Sequence, residues 1–335
     1  MGDIPAQQPP DASEASPEQT KKKSAKRRLL FVFKFVVIGG LFAWVGQSIA
    51  RDASSLDWSN LIQDPLPIVA AIGLWLVAFL FRAWLWGEMM RRTGYPVGHV
   101  AGARVFLASH LGRFLPGKIW SVAGAGIFGK EHGLPARASA VSMTIFLIIY
   151  YMMGSLVALL VIWRLGQAQV LVAVAIGVGG VGALGLLMSP LFPKLLRWIG
   201  RKFNRDMSEL KLPSPGMLAV VALGLAAVWL LAGLGFAVMI RGVVPPDSGG
   251  VPLVVGVGTY ASALVAGFAA LFAPAGLGVR EAVMLSLLKP SIGAAVAGLA
   301  TLTSRLIITS MELLLSLWGA WPFLVTRRRN RPEES

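Results

Sequence analysis

The chain has 335 residues, 56% of them hydrophobic and only 14% charged, against roughly 45–50% and about 25% in a soluble domain. One soluble core cannot hide that excess behind a polar shell, so composition excludes a soluble enzyme and specifies an all-α polytopic membrane protein. Lys and Arg number 31 against 16 Asp and Glu, a net charge of +15, but the basic residues lie between apolar stretches, which indicates positive-inside topology and anionic lipid contact rather than nucleic acid.

Residues 1–28 are polar and then basic, ending in Lys21-Lys22-Lys23-Ser24-Ala25-Lys26-Arg27-Arg28; they read as a disordered cytoplasmic tail. Residues 29–49 follow, apolar apart from Lys34. As a cleaved signal peptide this stretch has a long apolar region and a poor site at Ser48-Ile49-Ala50, so a retained anchor is expected. Further apolar segments at 67–87, 138–163, 169–189, 216–240 and 301–325 each have about the 20 residues that a membrane-crossing helix needs. That makes six expected spans. Residues 100–128 and 252–288 are also apolar, but Pro and Gly break both near the middle. They enter either as two re-entrant broken-helix hairpins or as two more crossings, eight spans in all. Between them, the glycine run from Gly177 to Gly185 offers small-residue packing faces, and 191–212 resembles a basic interfacial helix. A basic tail at 326–335 follows the last span.

An offset of 158 residues lays Leu115-Pro116-Gly117 over Ala273-Pro274-Ala275 and the segment 138–163 over 296–321. The spacing therefore predicts a duplicated unit, about 67–166 and 216–324, within a membrane domain of 29–325. Charge sets the sides. The loop 50–66 has Asp52, Asp57 and Asp64 against Arg51, and is outside; Arg91-Arg92, Lys130, Arg137, the cations of 194–211 and the final Arg327-Arg328-Arg329 all fall inside. Both termini are then cytoplasmic in a multi-pass inner-membrane protein. If both broken segments dip, the first enters from inside and the second from outside, which makes the repeats inverted, a transporter arrangement.

Chemistry concentrates at the breaks. Arg113, Pro116, Gly117 and Lys118 surround a helix end and a fresh start, where free N–H groups and two cations suit a phosphate. Pro274, Gly276, Gly278, Arg280 and Glu281 form the second break, and an adjacent Arg-Glu pair inside a membrane is a functional candidate. Arg305 and Glu312 lie two turns apart on one face of the last span, pairing through intermediate groups or lining a headgroup path. Arg82 and Glu88 read as residues snorkelling to the cytoplasmic surface. Tyr150 and Tyr151 read as ordinary bundle residues. The absence of cysteine excludes thiol chemistry, and His99, His110 and His132 have no ligand spacing. No metal and no cofactor are expected.

Arg113-Phe114-Leu115-Pro116-Gly117 together with Pro274-Ala275-Gly276-Leu277-Gly278-Val279-Arg280-Glu281 resembles the lysylphosphatidylglycerol synthase transmembrane-region family, also described as flippase-like, over residues 29–325. The resemblance implies movement of a lipid between leaflets. It does not carry over lysyl transfer, because the soluble synthase domain of some relatives has no counterpart in this sequence, and Ala275 stands where the family often has glycine. The leading expectation is a flippase-like transporter of an anionic lipid, either a phospholipid or a polyprenyl-phosphate-linked one. It is expected to be no enzyme, with a lipid-modifying or envelope-synthesis enzyme as a candidate partner. No Gly-x-x-x-x-Gly-Lys-Ser/Thr motif occurs, so ATP drive within this chain is not expected. Two alternatives stand beside it: an integral-membrane transferase on a lipid-linked donor, against which the outer acids Asp52, Asp57, Asp64 and Asp247 are scattered, and a non-transporting partner of an envelope-synthesis complex. Oligomeric state is not legible in the sequence.

Overall fold

In a computed structural model, residues 65–114, 119–164, 210–244, 250–270, 273 and 276–329 are described, with isolated residues 185, 189, 191 and 194. The expected first span at 29–49, most of the expected span at 169–189 and of the glycine run, most of 191–212, the N-terminal tail and most of the C-terminal tail lie outside them. Seven α-helices occur among the described residues: α1 (Pro65–Arg92), α2 (His99–His110), α3 (Trp120–Glu131), α4 (Ala136–Ala158), α5 (Pro215–Arg241), α6 (Leu253–Ala269) and α7 (Val279–Arg329). Short 3-10 turns extend α2 through Leu111–Phe114 and α4 through Leu159–Arg164.

Among the described residues, four helices are long and apolar enough to cross a membrane: Pro65–Arg92, Ala136–Val161, Pro215–Arg241 and Val279–Phe323. They coincide with four of the six expected spans. At 1.5 Å per residue, the 12-residue α2 and α3 reach only about 18 Å each, short of the roughly 30 Å apolar layer.

Local chemistry sets the helix ends. Ser214 Oγ accepts from the Met217 N–H at 3.2 Å and Pro215 takes the first helical position of α5. At the other end of α1, the Thr93 hydroxyl donates to the Met89 and Met90 carbonyls at 2.9 and 2.7 Å. Gly94 then turns the chain with φ +85°, a conformation that a Cβ disfavours. Inside α7, Gly293 has φ 74° and ψ 164°, three residues after Pro290, and this non-helical residue kinks the helix.

α1 and α5 run antiparallel along most of their lengths. Trp75 donates its indole N–H to the Ala232 carbonyl at 2.8 Å. Gly224 abuts Leu85, and Lys211, just ahead of α5, binds the Gly94 carbonyl beyond the end of α1. Partners thus fall in sequence along one helix as they rise along the other. Small residues allow the close approach elsewhere. Gly87 meets the Gly102 backbone between α1 and α2, and Ala237 meets Gly256 between α5 and α6.

The element order repeats: long helix, short helix, break, helix, turn, long helix. With α7 divided at Gly293, α1–α4 correspond to α5–α7 in that order. The packing repeats too. α2 lies antiparallel on the second part of α7, through Arg104 with Trp318 and Arg113 with Glu312. α6 lies antiparallel on α4, through Tyr151 with Phe268 and Val161 with Gly258. The short helix α2 thus packs on the end of α7, and α6 on α4.

Candidate functional site

Both breaks bring their charged residues to the second part of α7. Arg113, in the 3-10 turn that ends α2, donates through Nη1 to Glu312 Oε1 at 2.5 Å across 199 residues of sequence. Glu281, in the first turn of α7, faces Arg305 Nε at 3.4 Å. Arg305 and Glu312 do not pair with one another: each meets a residue from a different break. Seven residues separate them, about 10 Å along the axis and nearly one face.

Glu281 has a second task. Its Oε2 accepts the Gly278 N–H at 2.6 Å, so the carboxylate three residues into the helix caps its start, half of a capping box. Gly278 sits at φ 80° and Gly276 at φ 70°. A Cβ on Gly276 would lie 2.8 Å from the Gly267 Cα, and α6 reaches the break only because both positions lack one. Arg280 follows in the first turn and is buried at 6% exposure. It makes no ion pair among the described residues, and its Nε has no hydrogen-bond partner there. It lies within electrostatic range of Arg305, Tyr151 and Tyr260.

The structure thus gathers Arg113, Gly276, Gly278, Arg280, Glu281, Arg305 and Glu312. Pro116, Gly117, Lys118 and Pro274 lie outside the described residues.

Two expectations need correction. Arg82 does not snorkel: it is 6% exposed. Its guanidinium stands over Phe79, Phe106 and Tyr150 at 4.7, 5.5 and 4.8 Å from the ring centres. The reason lies in its depth. Ten residues precede the Arg92 end of α1, about 15 Å or half the apolar layer, which is too deep for the side chain to reach headgroups. That spacing was the signal in the sequence. Glu88 is also buried, held by Arg91 at 2.7 Å and Arg92 at 2.6 Å, so the exposed partners are the two arginines. Tyr150 and Tyr151 are more than bundle filler. Tyr150 stacks on Trp229 at 4.6 Å, and Tyr151 on Phe268 at 3.5 Å, beside the charged cluster.

Trp75, Phe79, Arg82, Tyr150, Tyr260 and Glu312 line a narrow cavity between α1, α4, α5, α6 and α7. Apolar helices surrounding four buried or half-buried arginines and two glutamates define a helical integral membrane protein with a polar centre. Ionisable groups at that depth are costly and mark binding or transport paths. The family model described as lysylphosphatidylglycerol synthase TM region matches residues 31–316, and the chain belongs to that family. Comparison with curated proteins gives no match.

Proposed function

We propose that this protein moves an anionic lipid, a phospholipid or a polyprenyl-phosphate-linked one, between the leaflets of the cytoplasmic (inner) membrane. The observation that carries the reading is Arg280: a buried guanidinium without a carboxylate partner among the described residues, at a helix start preceded by two positive-φ glycines. A helix N-terminus beside an arginine without a carboxylate there favours a phosphate. Arg305 lies within its electrostatic range, and Arg113 and Lys118 of the first break would draw the headgroup from the opposite side. The acyl or prenyl tails stay in lipid throughout. Family membership supports a lipid-related role.

The antiparallel α1–α5 pair and the exchanged packing of α2 on α7 and α6 on α4 support an inverted repeat with two re-entrant segments. In that reading Arg91-Arg92, Lys211 and both termini are cytoplasmic. The protein is read as a carrier, not an enzyme, working with an enzyme that makes or consumes its lipid.

The test is exchange of fluorescent phosphatidylglycerol across proteoliposomes of the full chain, with phosphatidylcholine as the comparison. Faster flipping of the anionic lipid than in empty liposomes is expected. Flipping no faster than in empty liposomes for every anionic lipid tried sinks the reading.

A further inference from the structure

Of the four arginines at the centre, two are already matched: Arg113 by Glu312 and Arg305 by Glu281. Arg82 is not. No carboxylate among the described residues lies within ion-pair distance of it, and its Nε has no hydrogen-bond partner. Among the described residues, its one side-chain hydrogen-bond partner is His110 Nε2, at 2.9 Å from Nη2. Arginine carries donors only, so that ring nitrogen accepts, and the imidazole is neutral with its proton on Nδ1. The histidine orients the guanidinium and leaves its charge uncompensated. The rings of Phe79, Phe106 and Tyr150 stabilise a cation through their faces, but they do not offer it a counter-charge. An arginine at 6% exposure, half-way through the apolar layer and facing a cavity, is held ready for an anion.

We propose that Arg82, oriented by His110, is a second anion-binding residue, which receives the phosphate oxyanion at the bundle centre after it leaves Arg280. This rests on the lipid-transport reading and names a step within it. Glu312 lines the same cavity and repels an anion there as long as it stays charged and in place. The cavity is narrow, so a phosphate reaches Arg82 only when α7 shifts and takes Glu312 with it. The Gly293 kink, where an added Cβ would meet open space, is where α7 can give. Planarity matters for holding two oxygens, so lysine is a poor replacement.

The experiment measures binding of dihexanoylphosphatidylglycerol and, separately, of inorganic phosphate to the purified full chain in a neutral detergent. Wild type, Arg82→Gln, Arg82→Lys and His110→Gln are compared, with melting as the check on folding. Arg82→Gln is expected to weaken binding at least tenfold, with Arg82→Lys and His110→Gln between it and wild type. A loss seen with the lipid alone assigns a lipid headgroup; a loss seen equally with inorganic phosphate assigns the oxyanion without its lipid.

A folded Arg82→Gln that binds both probes as wild type does overturns the inference. Should that variant not fold, Met311→Cys replaces it. The chain has no other cysteine, and Met311 lines the cavity. Vesicles with phosphatidylglycerol should slow its alkylation at least threefold relative to phosphatidylcholine vesicles, and an unchanged rate overturns the inference. Failure of the transport reading looks different: wild type then flips no lipid, whatever Arg82 binds.

Discussion

Arg113 and Glu312 are 199 residues apart and form a direct ion pair that ties the first broken segment to the last helix. With Glu281 facing Arg305, which stands two turns from Glu312, both breaks are fastened to the second part of α7. Breaking one side of such a buried pair strands a charge, at a cost of about 3–5 kcal/mol. Arg113→Ala and Glu312→Ala should therefore each lower thermal stability and lipid flipping sharply. The exchanged pair Arg113→Glu with Glu312→Arg should recover much of the lost melting temperature. Single variants as stable as wild type, or no recovery in the exchange, would show that the contact is incidental.

The second break depends on bare backbone. Gly276 has φ 70° and stands against Gly267, whereas Gly133 has φ 75° and an added Cβ there would meet nothing. Gly133→Ala should cost only the left-handed backbone penalty, about 1–2 kcal/mol. Gly276→Ala adds a clash and should cost more, with a loss of flipping. Chemical or thermal unfolding in detergent decides, and equal effects at the two sites would contradict the close approach.

Two indole bonds stitch helices whose backbones are otherwise self-satisfied: Trp75 to the Ala232 carbonyl and Trp229 to the Tyr150 carbonyl, at 2.8 and 2.6 Å. Interhelical hydrogen bonds in membranes contribute about 0.6–1.7 kcal/mol. Trp75→Phe and Trp229→Phe should each destabilise by roughly that amount, read as a lower melting temperature. No change at either would place the stability in packing alone.

The proposed inverted arrangement makes a sided prediction. Lys130 ends α3, and the offset of 158 carries it next to Lys289, just before the α7 kink. In the cysteine-free chain, Lys130→Cys should react with a membrane-impermeant maleimide only from the cytoplasmic side and Lys289→Cys only from the other. Labelling of both from one side rules out inversion.

Much of the helical frame was legible because apolar length and Pro-Gly breaks are local signals. Four spans fall where hydropathy puts them, and described helices end and start on either side of each Pro-Gly stretch. Arg113, Arg280, Glu281, Arg305 and Glu312 were also legible, since charges in apolar segments are conspicuous. Their pairing was not. Spacing put Arg305 and Glu312 on one face, but nothing local says that their partners come from two other segments. Arg82 was misread because its nearness in sequence to Arg91-Arg92 outweighed its depth. Tyr150 and Tyr151 carried no charge to draw notice, and their position beside the cluster is purely tertiary.

The central claim is that the buried Arg280 draws an anionic lipid into the bundle. Leaflet-resolved exchange of fluorescent phosphatidylglycerol in proteoliposomes of wild type and Arg280→Ala, both checked for folding by melting, tests it most directly. The account predicts flipping by wild type and its loss, by tenfold or more, in a folded Arg280→Ala. Equal flipping by the two proteins would contradict it.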